Sequence, residues 1–231
     1  MFNLKSRTAS AALAAGLALT LAACGSDDEA ATGTDTGTDT GTESASTEPI
    51  AAIDSLTGTQ TAVTLDPSFL EGITGLGLTP ATLGGATLDG TTGVIAFPIT
   101  GGNVEYYDPN GSVQPYVTGL INHDGSGLSL SAGDTTVKLE NFEVDPDESV
   151  LYAKVTVNDE VFAERADVFV LDGSTLNPLM EGTEPGTAVL EGTTVSLTAT
   201  AADALNTVFE TDALAEFFLV GIAEITVNTG A

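Results

Sequence analysis

Cysteine occurs once in this chain, at Cys24; tryptophan does not occur, and the only histidine is His123. Lysine and arginine together number five against 33 Asp and Glu, a formal charge of −28 at neutral pH. Each scarcity excludes something. Beyond Cys24 there is no thiol, so the rest of the chain has no disulfide, no thiolate metal site and no cysteine nucleophile. Its stability must come from an apolar core. A single imidazole leaves a zinc site without its usual ligands. The basic residues after Cys24 are Lys138, Lys154 and Arg165 alone, so the chain repels phosphate backbones and anionic lipid, and nucleic acid is excluded as a partner. The same charge favours solubility, cations and cationic partners, and a saline exterior accounts for it without a dedicated cation site. Without tryptophan, the broad aromatic platform of a sugar-binding face is not assembled.

What is present begins with Lys5 and Arg7 and an apolar run from Ala11 to Leu21, the charged and apolar parts of a secretory signal. The run is too short and too rich in Ala and Gly for a membrane span. Leu21-Ala22-Ala23-Cys24 closes it and resembles a bacterial lipobox, in which the cysteine is lipidated, with palmitate among its acyl chains, and becomes the first mature residue. Residues 1–23 therefore read as a lipoprotein signal peptide, and the protein as exported and membrane-anchored, facing the periplasm or the cell exterior. Residues 24–52 read as the lipidated cysteine plus a flexible tether. Thr32-Gly33-Thr34-Asp35 repeats with small changes through Glu43, and nothing there offsets the entropy of ordering. Such a chain spans roughly 25–30 Å.

Residues 53–231 read as one β-rich domain. From Ala62 onward, short alternating segments of Val, Thr, Leu and Phe are broken by Gly, Asp and Asn. Strands are expected at Val63-Thr64-Leu65, Ala86–Leu88, Gly93–Ile99, Val104–Tyr107, Val113–Ile121, Leu128–Ser131, Thr135–Val144, Val150–Val157, Val161–Leu171, Thr193–Leu197 and Phe217–Val227. Ala132-Gly133-Asp134 and Asn158-Asp159 mark two hairpin turns, and Asp172–Gly192 reads as a long loop. Asp66-Pro67 announces a first short helix. A second is expected from Thr200, with Asp203 as a capping-box partner. The absence of a βαβ rhythm points to an all-β sandwich or barrel with two short helices. Phe97, Ile99, Leu128, Leu130, Leu139, Phe142, Val155, Val157, Phe169, Leu171, Leu197 and Leu205 form the expected core.

Chemistry has few places to sit. A serine hydrolase would have to use His123, yet no Gly-x-Ser-x-Gly elbow is present. Asp108-Pro109-Asn110-Gly111 carries part of the logic of a calcium loop, and Asp145-Pro146-Asp147-Glu148 offers three carboxylates. Asp108, Asn110, Asp145 and Asp147 are thus candidate calcium ligands, while the same residue types form plain solvated turns. Tyr106, Tyr107 and Tyr116 cluster ahead of His123.

Gly119-Leu120-Ile121-Asn122-His123-Asp124-Gly125-Ser126-Gly127-Leu128-Ser129-Leu130 has the look of a strand, a His-Gly turn and a second strand. Thr136–Asp145 follows, and Val195-Ser196-Leu197-Thr198 leads into Ala201-Ala202-Asp203-Ala204-Leu205-Asn206. This order resembles secreted actinobacterial β-rich domains of the HtaA, or haem-transport-associated, type over about residues 85–227. In that family a tyrosine ligates haem iron and a histidine supports it. The resemblance implies that His123 occupies the histidine site and that the tyrosine is one of Tyr106, Tyr107 and Tyr116. The family's tryptophan-containing start is missing, and few basic residues are available to meet the propionates.

The sequence therefore points to a non-enzymatic surface lipoprotein that binds an extracellular ligand or envelope component, with haem as the ligand the resemblance implies. A calcium-dependent adhesion module and a secreted hydrolase using His123 are the alternatives. Replacing Cys24 by alanine is expected to release the protein from the membrane fraction and to remove the mass of the lipid; unchanged partitioning and mass would refute lipidation.

Overall fold

In the computed structural model, which describes residues 47–230, the alternating segments become strands of one antiparallel sheet. The signal segment, Cys24 and the tether up to residue 46 lie outside the described residues. In chain order the elements are β1 (Ala51–Ile53), β2 (Thr59–Leu65), α1 (Pro67–Gly75), β3 (Thr79–Gly84), β4 (Thr87–Asp89), β5 (Val94–Pro98), β6 (Gly101–Tyr106) and β7 (Val117–Ala132). They continue as β8 (Thr135–Asp145), β9 (Val150–Val157), β10 (Glu160–Asp172), β11 (Met180–Glu181), β12 (Thr187–Leu197), α2 (Ala199–Val208) and β13 (Leu219–Asn228). Ala51 and Ala52, assigned to the tether from sequence, are already paired in β1 with Tyr106 and Glu105.

The sheet runs β1-β6-β7-β8-β9-β10-β12-β13-β2-β5-β4, with β3 attached to β7 and β11 to β12. β5 and β6 are consecutive in the chain yet lie near opposite ends of that order. A sheet curled back on itself satisfies both, and the result is a half-barrel, the barrel-like member of the expected all-β class. Bulges supply part of the curl. In β8, Leu139 and Phe142 are both buried although an odd number of positions separates them. Asn141, at φ 55°, absorbs the extra residue and restores the inward phase.

Phe97, Ile99, Leu139, Phe142, Phe169, Leu171, Leu197 and Leu205 are buried as expected, while Leu128, Leu130, Val155 and Val157 pack half-buried against that core. Both hairpins form where the turn residues indicated, with Ala132 opposite Thr135 and Val157 opposite Glu160. Asn158 and Asp159 take φ of 50° and 66°, the paired left-handed conformation that suits a two-residue hairpin. Asp66 caps α1 by accepting a hydrogen bond from the Ser68 amide, with Pro67 beginning the helix. α1 packs on β13 and α2 on β10. Phe69 and Ile73 of α1 and Leu205 of α2 border a common apolar space with Leu128, Leu130 and Leu139, and so plug the half-barrel.

Three local expectations are corrected. α2 starts at Ala199 rather than Thr200, because Thr198 is the cap and its hydroxyl accepts from the Ala201 amide. Residues 187–192, read as the end of the Asp172–Gly192 loop, extend β12 because Thr187–Glu191 pair with Glu224–Asn228 of β13. β3 was not expected, and it carries Pro80, which cannot donate to a ladder. It is tolerated because β3 pairs on one side only, with β7.

Gly84 ends β3 at φ 57°, and a Cβ there would stand 1.9 Å from the Gly125 carbonyl oxygen. Gly84→Ala is expected to destabilise the fold by more than ~2 kcal/mol, read as a lower urea midpoint at unchanged slope; a midpoint within error of the parent would contradict the packing at β3–β7.

Candidate functional site

Residues 122–127, read from sequence as a turn between two strands, lie inside the single long strand β7. Its pairing with β8 passes from His123–Phe142 directly to Gly127–Glu140, leaving Asp124-Gly125-Ser126 as a bulge. Asn141 holds this bulge by accepting from the Gly125 amide at 2.9 Å. On its other edge β7 changes partner at the same point, from β6 before the bulge to β3 after it. His123 is therefore not a turn residue. It points inward at the switch and is 1 % exposed.

Both ring nitrogens of His123 are engaged. Nδ1 lies 2.9 Å from the Pro98 carbonyl oxygen, which can only accept, so Nδ1 carries the proton. Nε2 lies 3.1 Å from the Thr61 hydroxyl. Burial holds the imidazole below its ordinary pKa, against smaller opposing effects of the Pro98 and Phe97 backbone and of Asp124. The ring is neutral, Nε2 accepts from Thr61, and the tautomer is fixed. Thr61 is on β2 and Pro98 ends β5, whereas His123 is on β7, so these two bonds tie the far ends of the sheet together.

Beyond the clasp, rings meet edge to face from His123 to Phe97 (6.3 Å between centroids), Phe97 to Phe142 (5.1 Å) and Phe142 to Phe169 (6.4 Å). They border a cavity of about 790 Å³ inside the half-barrel, within the size range of small-molecule sites. Its wall is mostly apolar, with Val63, Ile95, Val144, Leu171, Val195, Ala223 and Ile225 among its side chains. Its rim is formed by Gln114-Pro115-Tyr116, Pro146, Ser149, Asp172-Gly173-Ser174, Leu176, Thr193, Thr194 and Phe217. Phe217 is 63 % exposed and holds φ 60°.

The tyrosines separate. Tyr116 borders the cavity at its rim, with its hydroxyl donating a long bond to the Gly173 carbonyl at 3.4 Å. Burial and the neighbouring Tyr106 raise its pKa, keeping the phenol protonated. Tyr106 is buried edge to face against Tyr116 at 5.8 Å. Tyr107 donates to Glu105 at 2.6 Å. His123 has Thr61 and Pro98 as its partners rather than a tyrosine hydroxyl.

The candidate calcium ligands act as turn acceptors. Asp108 Oδ1 accepts from the Asn110 amide and Asp145 Oδ1 from the Glu148 amide. Asp147 Oδ2 accepts from the Gly119 amide at 2.9 Å, tying the β8–β9 turn to β7. Among the described residues, no group of three His, Cys, Asp or Glu side chains is placed to hold a metal ion. Ser126 Oγ donates to the backbone carbonyl of His123 and not to its ring, so the serine–histidine pair that a hydrolase needs is not made there. Thr61, Pro98 and Asp172 are site residues that sequence reasoning missed. Their only signal was residue type, since their proximity to His123 or the rim depends on the curl of the sheet.

No protein-family model matches this chain, and no curated protein matches it. Among solved structures it is similar to the C-terminal domain of HtaA from Corynebacterium glutamicum, with a TM-score of 0.50 and 18% identity, covering 75% of this chain and 98% of that domain. The fold is HtaA-like. A domain-swapped dimer of a variant of the same HtaA domain aligns over 71% of this chain and 91% of that one, with a TM-score of 0.43 and 18% identity. The HtaA likeness establishes the architecture; the site rests on this chain's own residues.

A neutral, buried imidazole makes stability sensitive to acid. The folded chain resists a proton that the unfolded chain takes up below about pH 6.5. The contribution is therefore intact above that pH and is lost as pH falls toward the depressed folded value. Between pH 7.5 and 5.5 the parent should lose up to ~1 kcal/mol relative to His123→Gln, which carries no titrating group there. Urea titrations giving the same pH slope for both proteins would count against the neutral clasp.

Proposed function

We propose that this chain is a non-enzymatic binding module, carried on an exported, lipid-anchored protein, and that it takes a small ligand with an apolar body into the half-barrel. The observation that carries this reading is the cavity. Filled with water it would hold roughly 25 molecules at about 30 Å³ each. Most of them would face hydrocarbon, and Thr61 and His123 are already spent on each other and on Pro98. Water without partners is readily displaced by an apolar group, and this displacement favours binding.

Haem is the ligand that the HtaA resemblance implies, and the residues present do not fit it. The resemblance calls for a tyrosinate supported by histidine, but His123 supports a threonine. Tyr116, the one candidate tyrosine bordering the cavity, bonds the Gly173 carbonyl and not His123. No lysine or arginine borders the cavity to meet two propionates. The fit is to an apolar body and not to a charged metalloporphyrin.

The test uses the full-length Cys24→Ala chain, so that its own lipid does not compete. The uncharged probe N-phenyl-1-naphthylamine should bind with one-to-one stoichiometry and blue-shifted emission. Ala223→Phe, which fills the buried wall, should abolish this binding while retaining the β-sheet circular dichroism. Ferric haem should give no spectral change that depends on Tyr116 or His123. Failure of the probe to bind would overturn the reading; a Soret shift lost in Tyr116→Phe would restore haem.

A further inference from the structure

The cavity carries an electrostatic asymmetry that narrows the ligand class. No lysine or arginine borders it, and the one histidine in its wall is neutral, with both nitrogens committed. The one acidic residue bordering it is Asp172, at the rim. Its Oδ1 accepts from the Ser174 amide at 2.8 Å, a bond that favours the ionised carboxylate. The remaining polar side chains at the entrance are uncharged hydroxyls and an amide, from Tyr116, Ser149, Ser174, Thr193, Thr194 and Gln114.

An anionic head arriving at this rim loses water, meets a fixed carboxylate and finds no cation, within a chain whose formal charge is −28. An uncharged hydroxyl or carbonyl head loses little on the way in and can exchange hydrogen bonds with hydroxyls and amide. Specificity then comes from repulsion of the charged analogue as much as from attraction of the neutral one.

We propose that the half-barrel holds an uncharged lipid-like molecule, with its apolar body inside the curled sheet and a hydroxyl or carbonyl head at the Gln114–Ser149–Ser174 rim, and that it rejects the anionic analogue of the same body. This rests on the ligand-binding reading above and specifies its chemistry.

The deciding measurement compares matched pairs on the full-length Cys24→Ala chain at pH 8 and 0.15 M salt. N-phenyl-1-naphthylamine is set against its sulfonated relative 8-anilino-1-naphthalenesulfonate, and oleyl alcohol against oleate as competitors for the neutral probe. The neutral member of each pair should bind at least tenfold more tightly. Asp172→Asn should narrow that gap by recovering binding of the anionic member. Equal or tighter binding of the anionic members overturns the charge selection while leaving the cavity a binding site. A gap that Asp172→Asn leaves untouched overturns the role given to the rim carboxylate. Failure of all four to bind overturns the underlying ligand-binding reading instead.

Discussion

The imidazole of His123, held between Thr61 and the Pro98 carbonyl, is the contact on which the site depends. β7 lies near one end of the strand order, and β2 and β5 lie near the other. The short connection from β5 to β6 brings those ends together. The chain crosses between them through Ile99 and Thr100, whose amides bond Thr59 of β2 and Asn122 of β7 respectively. His123 adds a side-chain bond to each of β2 and β5 at the same corner. Two buried hydrogen bonds contribute only about 1 kcal/mol each. Their larger effect is geometric: they pin β7 to β2 and β5 at the corner where the curled sheet meets itself.

A clasp of this kind works because it is neutral. In an apolar interior a protonated imidazole would need a counter-charge, and a second donor on Nε2 would have to find an acceptor in place of the Thr61 proton it now receives. No carboxylate is among the polar atoms that bond the ring. Asp66, Asp89 and Asp172 cap turns and a helix at the surface, each held below the usual carboxylate range by hydrogen bonds, from the Ser68 hydroxyl and amide at Asp66 and chiefly from backbone amides at Asp89 and Asp172. The chain thus separates its charge from its cavity, with a strongly negative exterior around an interior whose wall carries no ionised group.

The sequence and the fold agree wherever the signal is local. Asp66-Pro67 marks the start of α1, and Gly133-Asp134 and Asn158-Asp159 mark turns, because capping and left-handed φ are decided within a few residues. Legibility fails where pairing over long distances decides. Thr187–Glu191 looks like loop and becomes strand because β13 lies beside it. Pro80 hides β3, and Asp124-Gly125-Ser126 reads as a turn although the strand continues past it as a bulge. The family resemblance did anticipate the architecture, and it singled out His123 as a site residue. What it implied about the partner of that histidine came from other chains, and the threonine at position 61 is not visible as a partner until β2 is brought opposite β7.

In this half-barrel a side chain from β2, Thr61, meets the histidine of β7 at a buried corner, and the residue type at that corner shapes the adjoining space. The threonine here is short, accepts no role beyond its bond to Nε2, and leaves the space in front of the ring open. Phe97, Phe142 and Phe169 fill the adjoining wall with hydrocarbon. With these side chains the fold encloses a mostly apolar space, and the one acidic residue bordering it is Asp172.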